Sequence, residues 1–196
     1  HNLLGVSYSL IDKHTEAIDS YLNATYLDPN NEEIHRNLGK SYSKLNQDNK
    51  AYYAFQKALR IRSNNPDAIL GLGLLKLKKN KFNESIKEFN NVIRLNKNFY
   101  QAYYNIALAQ SFLGNYLEAI NNYLVAIKIH KNYFQAYNNL GSILIKINKI
   151  DEAIKILKKA ITIKPDYLEA LTNIGVAYLN KKKYLDALKF FNETIK

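Results

Sequence analysis

The sequence predicts an all-α solenoid of antiparallel helix pairs, and three periodic observations predict it. A small residue returns every 34 positions, at Gly5, Gly39, Gly73, Ala107, Gly141 and Gly175, inside segments that otherwise read as helix. Glycine costs roughly 1 kcal/mol against alanine in a helix interior, so repeated use at a fixed interval implies a packing reason. Twelve residues later stand Ala17, Ala51, Ser85, Ala119, Ala153 and Ala187, and four beyond these stand Tyr21, Phe55, Phe89, Tyr123, Leu157 and Phe191. Ala24, Ala58, Val92, Ala126 and Ala160 follow three residues on. Small, large and small residues at spacings of four and three lie on one helix face. The third observation is a short polar turn between the two stripes of every unit, and helices joined so closely must pack antiparallel.

Taken in order, the units span 1–31, 32–65, 66–99, 100–133, 134–167 and 168–196, as one repeat domain over 1–196. The turns are Asp12-Lys13, Asn46-Gln47, Asn80-Lys81, Gly114-Asn115, Asn148-Lys149 and Lys182-Lys183. Leu4, Leu38, Leu72, Ile106, Leu140 and Ile174 precede the small-residue column and place each first helix on the core. Asp28-Pro29 and Lys164-Pro165 end two second helices, because proline cannot continue a helix, and Asn64-Asn65-Pro66 is expected to act similarly one step later. The first unit opens partway into its first helix and the last stops within its second. Further polypeptide is therefore expected on both sides.

Residues 134–167 carry Tyr137, Leu140-Gly141, Leu144, Ala153, Leu157, Ala160 and Pro165, and the second unit carries Leu38-Gly39, Tyr42, Ala51, Phe55 and Ala58. In these residues the chain resembles an array of tetratricopeptide repeats, over essentially its whole length. The resemblance implies a right-handed superhelix whose first helices line a concave face that grips a partner segment. Two departures are local. Lys76 and Gln110 stand where the first helix usually carries Tyr, with Leu77 and Phe112 nearby as alternative core residues.

Composition bounds the function. The chain of 196 residues has a formal charge of +11, with a net acidic first unit and net basic second and third units. Solvated lysines on outer faces account for most of that excess, and no clustered basic stripe calls for a nucleic-acid partner. Cysteine is absent, which excludes disulfides and thiolate chemistry and fits an intracellular, cytoplasmic setting. No apolar run is long enough to span a membrane. His1, His14, His35 and His130 have neither metal spacing nor carboxylate pairing, so no metal, no catalytic group and no cofactor is expected. Gly71-Leu-Gly73 lacks the spacing and the preceding strand of a phosphate loop.

The expected partner-binding residues lie on the inward face of the first helices. Asn37, Asn105, Asn139 and Asn173 stand two residues before the small-residue column, with Leu3 and Gly71 interrupting the series. Asparagine is a poor helix-interior residue, and its amide both donates and accepts, so a ladder of amides suits a peptide backbone. The ladder resembles that lining the repeat arm of O-GlcNAc transferase. The other reading is that these amides tie neighbouring first helices together. Arg36, Lys40 and Lys44 share one face of the second unit, followed by Leu70 and Leu74, then Tyr104 and Leu108, then Asn138. A basic end and an apolar middle suit an acidic or amphipathic peptide or helix.

The leading expectation is a protein-interaction scaffold within a larger protein or assembly, with homo-oligomers compatible. The alternative is the substrate-recruiting arm of an O-GlcNAc transferase-like enzyme. The resemblance also implies what is missing. The Lys and Asn clamp by which some relatives hold a chaperone's C-terminal carboxylate has no counterpart in any unit.

Overall fold

The computed structural model describes residues 1–194, which form twelve helices and no strand. Two compact units divide the chain, His1–Lys97 and Asn98–Lys196. The first contains α1 (Asn2–Leu10), α2 (His14–Leu27), α3 (Glu32–Lys44), α4 (Asp48–Ile61), α5 (Pro66–Lys78) and α6 (Phe82–Leu95). The second contains α7 (Tyr100–Phe112), α8 (Tyr116–Ile129), α9 (Phe134–Lys146), α10 (Ile150–Ile163), α11 (Leu168–Asn180) and α12 (Tyr184–Glu193). Within each unit every helix packs on the next, and successive first helices also touch: α1 on α3, α3 on α5, α7 on α9, α9 on α11. No described helix is long and apolar enough to cross a membrane.

The turn inside each pair has one backbone solution. Asp12, Asn46, Asn80, Asn148 and Lys182 have φ between 57° and 62°, and Gly114 has φ 79°. Left-handed backbone strains most side chains but suits Gly, Asn and Asp. Five of these six turns therefore use the favoured residues, and Lys182 is the exception.

The glycine column has its packing reason in the large residue sixteen positions later. A Cβ on Gly39 would lie 2.6 Å from Cδ1 of Phe55, and one on Gly73 would lie 2.5 Å from Cε1 of Phe89. Gly5 meets Tyr21, Gly141 meets Leu157, and Gly175 meets Phe191 in the same way. Each ring or Leu packs against a bare helix backbone of its own pair. Phe55 does more, because its far edge also lies against Gly71 of the following pair. Ala107, opposite Tyr123, is the one place in this column where a methyl is accommodated.

Helix starts differ between the two units. In the first, Asn31 accepts a hydrogen bond from Glu33 N at 3.1 Å, and Asn65 accepts one from Ala68 N at 3.1 Å. Pro66 is the first residue of α5, where its missing N–H costs nothing. It opens the third pair, whereas α4 has already ended at Ile61; the sequence reading had assigned this proline to the end of α4. In the second unit Phe99, Tyr133 and Tyr167 occupy the cap position and make no side-chain cap bond. Tyr133 instead packs its ring 5.0 Å from that of Tyr100 and 4.9 Å from that of Tyr104. Tyr167 packs 4.8 Å from Phe134.

The two departures from the Tyr column are matched by polar partners across the pair. Lys76 Nζ lies 2.7 Å from Glu88 Oε1, and Gln110 Oε1 accepts from Asn122 Nδ2 at 3.0 Å. Glu88 and Asn122 are themselves equivalent positions, so one site on the second helix answers both substitutions. Phe112 remains 63% exposed and does not complete the core, and Leu77 is half-buried.

Candidate functional site

In the first unit the first helices enclose a cavity of about 430 Å3. Its wall is built from the ends of α1 and α3 and the body of α5, including Lys40, Lys44, Leu70 and Leu74. The floor is Gly71 and the ring of Phe55 beneath it. Periodicity explains the gathering: residues 40, 44, 70 and 74 lie at spacings of four on two adjacent first helices, so each pair shares a face. Leu74 is 39% exposed although it lies amid a mostly covered helix, and Leu70 is half-buried.

Electrostatics at this site differ from the simple basic end read from the sequence. Asp67, on the first turn of α5, reaches Lys40 Nζ at 3.0 Å and Arg36 Nη1 at 3.7 Å. Arg36 also faces Glu33 at 3.5 Å and donates to Asn37 Oδ1 at 3.5 Å. Lys40 and Arg36 thus have acidic partners within the protein. Lys44 lines the cavity without an ion-pair partner among the described residues. At the opposite wall His14 Nε2 lies 3.6 Å from Asp12 Oδ1, while His14 Nδ1 is buried without a hydrogen-bond partner.

The second unit presents a polar network on its first helices. Asn173 Nδ2 donates to Asn138 Oδ1 at 2.9 Å, Asn138 Nδ2 to Asn139 Oδ1 at 3.2 Å, and Asn139 Nδ2 to Tyr104 Oη at 3.0 Å. Four side chains therefore link α11, α9 and α7. Asn105 turns inward and donates to Gln101 O at 2.7 Å. Asn105 and Asn138 are 7% and 6% exposed, while Asn139, Asn173, Tyr104 and Leu108 are half-buried. Buried amides must be hydrogen-bonded, and these satisfy one another. Burial pushes the phenols of Tyr104, Tyr123, Tyr133 and Tyr167 above their ordinary range, strongly for Tyr123 and Tyr133.

The structure therefore gathers Lys40, Lys44, Leu70 and Leu74 around one cavity, with Arg36 and Asn37 behind its rim. It gathers Asn138, Asn139, Asn173 and Tyr104 into one network. Sequence reasoning passed over Phe55, Gly71, Asp67 and His14. The signal for Gly71 was present as the break in the Asn column, where the absence of a side chain leaves the cavity open.

Residues 33–65, 66–99 and 100–133 match the family described as Tetratricopeptide repeat, as do 122–155 in a second form. Residues 11–46 and 141–182 match one described as TPR repeat. No curated protein matches the chain. Among solved structures, a crystal structure of MamA is similar at TM-score 0.71 and 27% identity, covering 81% of this chain and 92% of that one. YrrB, described as a TPR protein with an unusual peptide-binding site, is similar at TM-score 0.68 and 21% identity, covering 91% of this chain and 92% of its own. The APC/C hetero-tetramer Cut9-Hcn1 contains a chain similar at TM-score 0.89 and 19% identity, over 97% of this chain and 38% of that one.

Proposed function

Because this chain belongs to the tetratricopeptide repeat family, we propose that it is a non-catalytic scaffold that holds a segment of a partner protein against its first helices. One observation carries the reading: the cavity bounded by Lys40, Lys44, Leu70 and Leu74, on the face that successive first helices share. A groove of apolar side chains with a few charged groups at its edge is what capture of an extended or helical segment requires. Arg36 and Asn37 support it from behind the rim. In the second unit Tyr104, Leu108, Asn105, Asn138, Asn139 and Asn173 form the corresponding face. The amides there donate mainly to one another and to the backbone, which favours a rigid scaffold over an arm that reads peptide backbone by free amides.

The test is affinity capture followed by mass spectrometry, comparing the wild type with a variant carrying Lys44→Glu, Leu74→Glu and Leu108→Glu together. Loss of the partners that the wild type retains, with helicity unchanged by circular dichroism, is the expected result. Equal recovery by both proteins would sink the reading. The same preparation gives no tight complex with a chaperone C-terminal peptide, since no unit supplies the Lys and Asn clamp.

A further inference from the structure

Three features of the first-unit cavity bear on what it selects. The first is its floor. Gly71 occupies the column that holds Asn37, Asn105, Asn139 and Asn173 in other repeats. The ring of Phe55 lies so close beneath that a Cβ on Gly71 would fall 2.6 Å from Cε1. An apolar depression therefore replaces a polar side chain at this rung. The second is its wall, where Leu70 and Leu74 stand one helical turn apart, Leu74 with 39% of its surface in contact with water. The third is charge. Of the two carboxylates that line the cavity, Asp67 is engaged by Lys40 at 3.0 Å, while Asp12 at the far rim is 93% exposed to solvent and lies 3.6 Å from the His14 ring. The ammonium of Lys44 has no ion-pair partner among the described residues.

We propose that this cavity is a socket for one bulky apolar side chain, aromatic or leucine, from a partner segment that carries a carboxylate within a few residues of that anchor. The inference rests on the groove reading above and specifies its ligand. The apolar side chain stacks on the edge of Phe55 over Gly71 and displaces water from Leu70 and Leu74. Such a central buried anchor supplies most of the affinity in recognition of this kind. The carboxylate pairs with Lys44, the cation whose pairing costs no existing bridge. Asp67 sets the limit of this attraction. It holds Lys40 and Arg36 and repels a second acidic group, so a segment with one acid is favoured over a polyacidic one.

A phage-displayed library of random peptides, panned on the immobilised 196-residue chain, tests this directly. Enriched peptides are then measured by fluorescence polarisation on the wild type, Leu74→Glu, Lys44→Glu and Asp67→Asn, each checked for helicity. The expected selection pairs Phe, Tyr, Trp or Leu with a nearby Asp or Glu. Leu74→Glu and Lys44→Glu each weaken binding by about tenfold or more, and Asp67→Asn strengthens it severalfold by freeing Lys40. Enriched peptides without an acid, unchanged affinity in Lys44→Glu, or no gain in Asp67→Asn overturns the charge assignment. Binders that survive Leu74→Glu but are lost in Leu108→Glu overturn the socket while leaving the groove reading intact. A library that yields no binder overturns the socket as well.

Discussion

Gly39 shows how far one residue governs its surroundings. Alanine is the better helix former by roughly 1 kcal/mol, so propensity alone expects Gly39→Ala to stabilise the chain. The ring of Phe55 stands 2.6 Å from where that methyl would go, and Phe55 is 2% exposed with little room to retreat. Overpacking of this kind costs about 1–3 kcal/mol. Urea titration should therefore show Gly39→Ala destabilised on balance; equal or greater stability would mean that the ring yields as Tyr123 does opposite Ala107. The spacing of the column was legible in the sequence, and so was its need for a packing reason. The identity of the partner was not, because the contact joins residues sixteen apart on different helices. Likewise the polar turns could be read, yet their left-handed backbone at Asp12, Asn46, Asn80, Asn148 and Lys182 emerged only from geometry.

At the scale of the element, α5 is the most informative helix. Its cap, Asn65, is 3% exposed, accepts from Ala68 N, and donates from Nδ2 to a carboxylate oxygen of Glu32 on α3. One side chain thus starts a helix and ties it to the preceding repeat. Replacing a cap by alanine costs about 0.5–2 kcal/mol, and here the loss also strips Glu32 of a partner. Asn65→Ala should accordingly lie at the upper end of that range in thermal or urea unfolding. A change below a few tenths would show that α5 is started by Pro66 alone. The helix type and pairing of α5 were evident from Leu72, Gly73 and the stripe that follows. The expected unit boundary at 66 coincides with its first residue, but the role of Pro66 was misread, because Asn64-Asn65-Pro66 suits either a helix stop or a start and the choice depends on the cap bond. The basic character expected of α3 was similarly altered by its neighbour: Asp67, at the start of the next first helix, pairs with Lys40 and Arg36, and which side chains meet across that contact is not read from spacing along one helix.

Across the whole molecule, burial of tyrosine sets the response to alkali. Tyr21 and Tyr42 in the first unit, and Tyr104, Tyr123, Tyr133 and Tyr167 in the second, have phenols raised from 10.0 chiefly by burial. Above that value the unfolded chain releases protons that the folded chain keeps, so stability is full below about pH 10 and falls as pH rises. The second unit holds the two most strongly shifted groups and should show the steeper alkaline loss. Tyr123→Phe removes at most one proton from the linkage, flattening that arm by up to about 1.4 kcal/mol per pH unit. An unchanged slope in pH-dependent urea titrations would show that Tyr123 ionises in the folded state. The abundance of tyrosine was plain in the sequence. Which phenols are covered depends on where Tyr133 and Tyr167 sit, at helix starts where their rings pack on aromatic neighbours and make no cap bond.

Phe55 has a further consequence for how the first unit comes apart. Its ring rests on Gly39 of its own repeat and on Gly71 of the next, sixteen residues away in either direction. Unravelling either neighbour strips one side of the ring, so the second and third repeats gain cooperativity from a single shared side chain. In a linear array of repeats such a group acts as a nearest-neighbour coupling constant, and its short loops make that coupling quick to form. A guest seated over Gly71 against the same ring would strengthen the coupling, and occupancy would then be readable as slower amide exchange in both repeats at once.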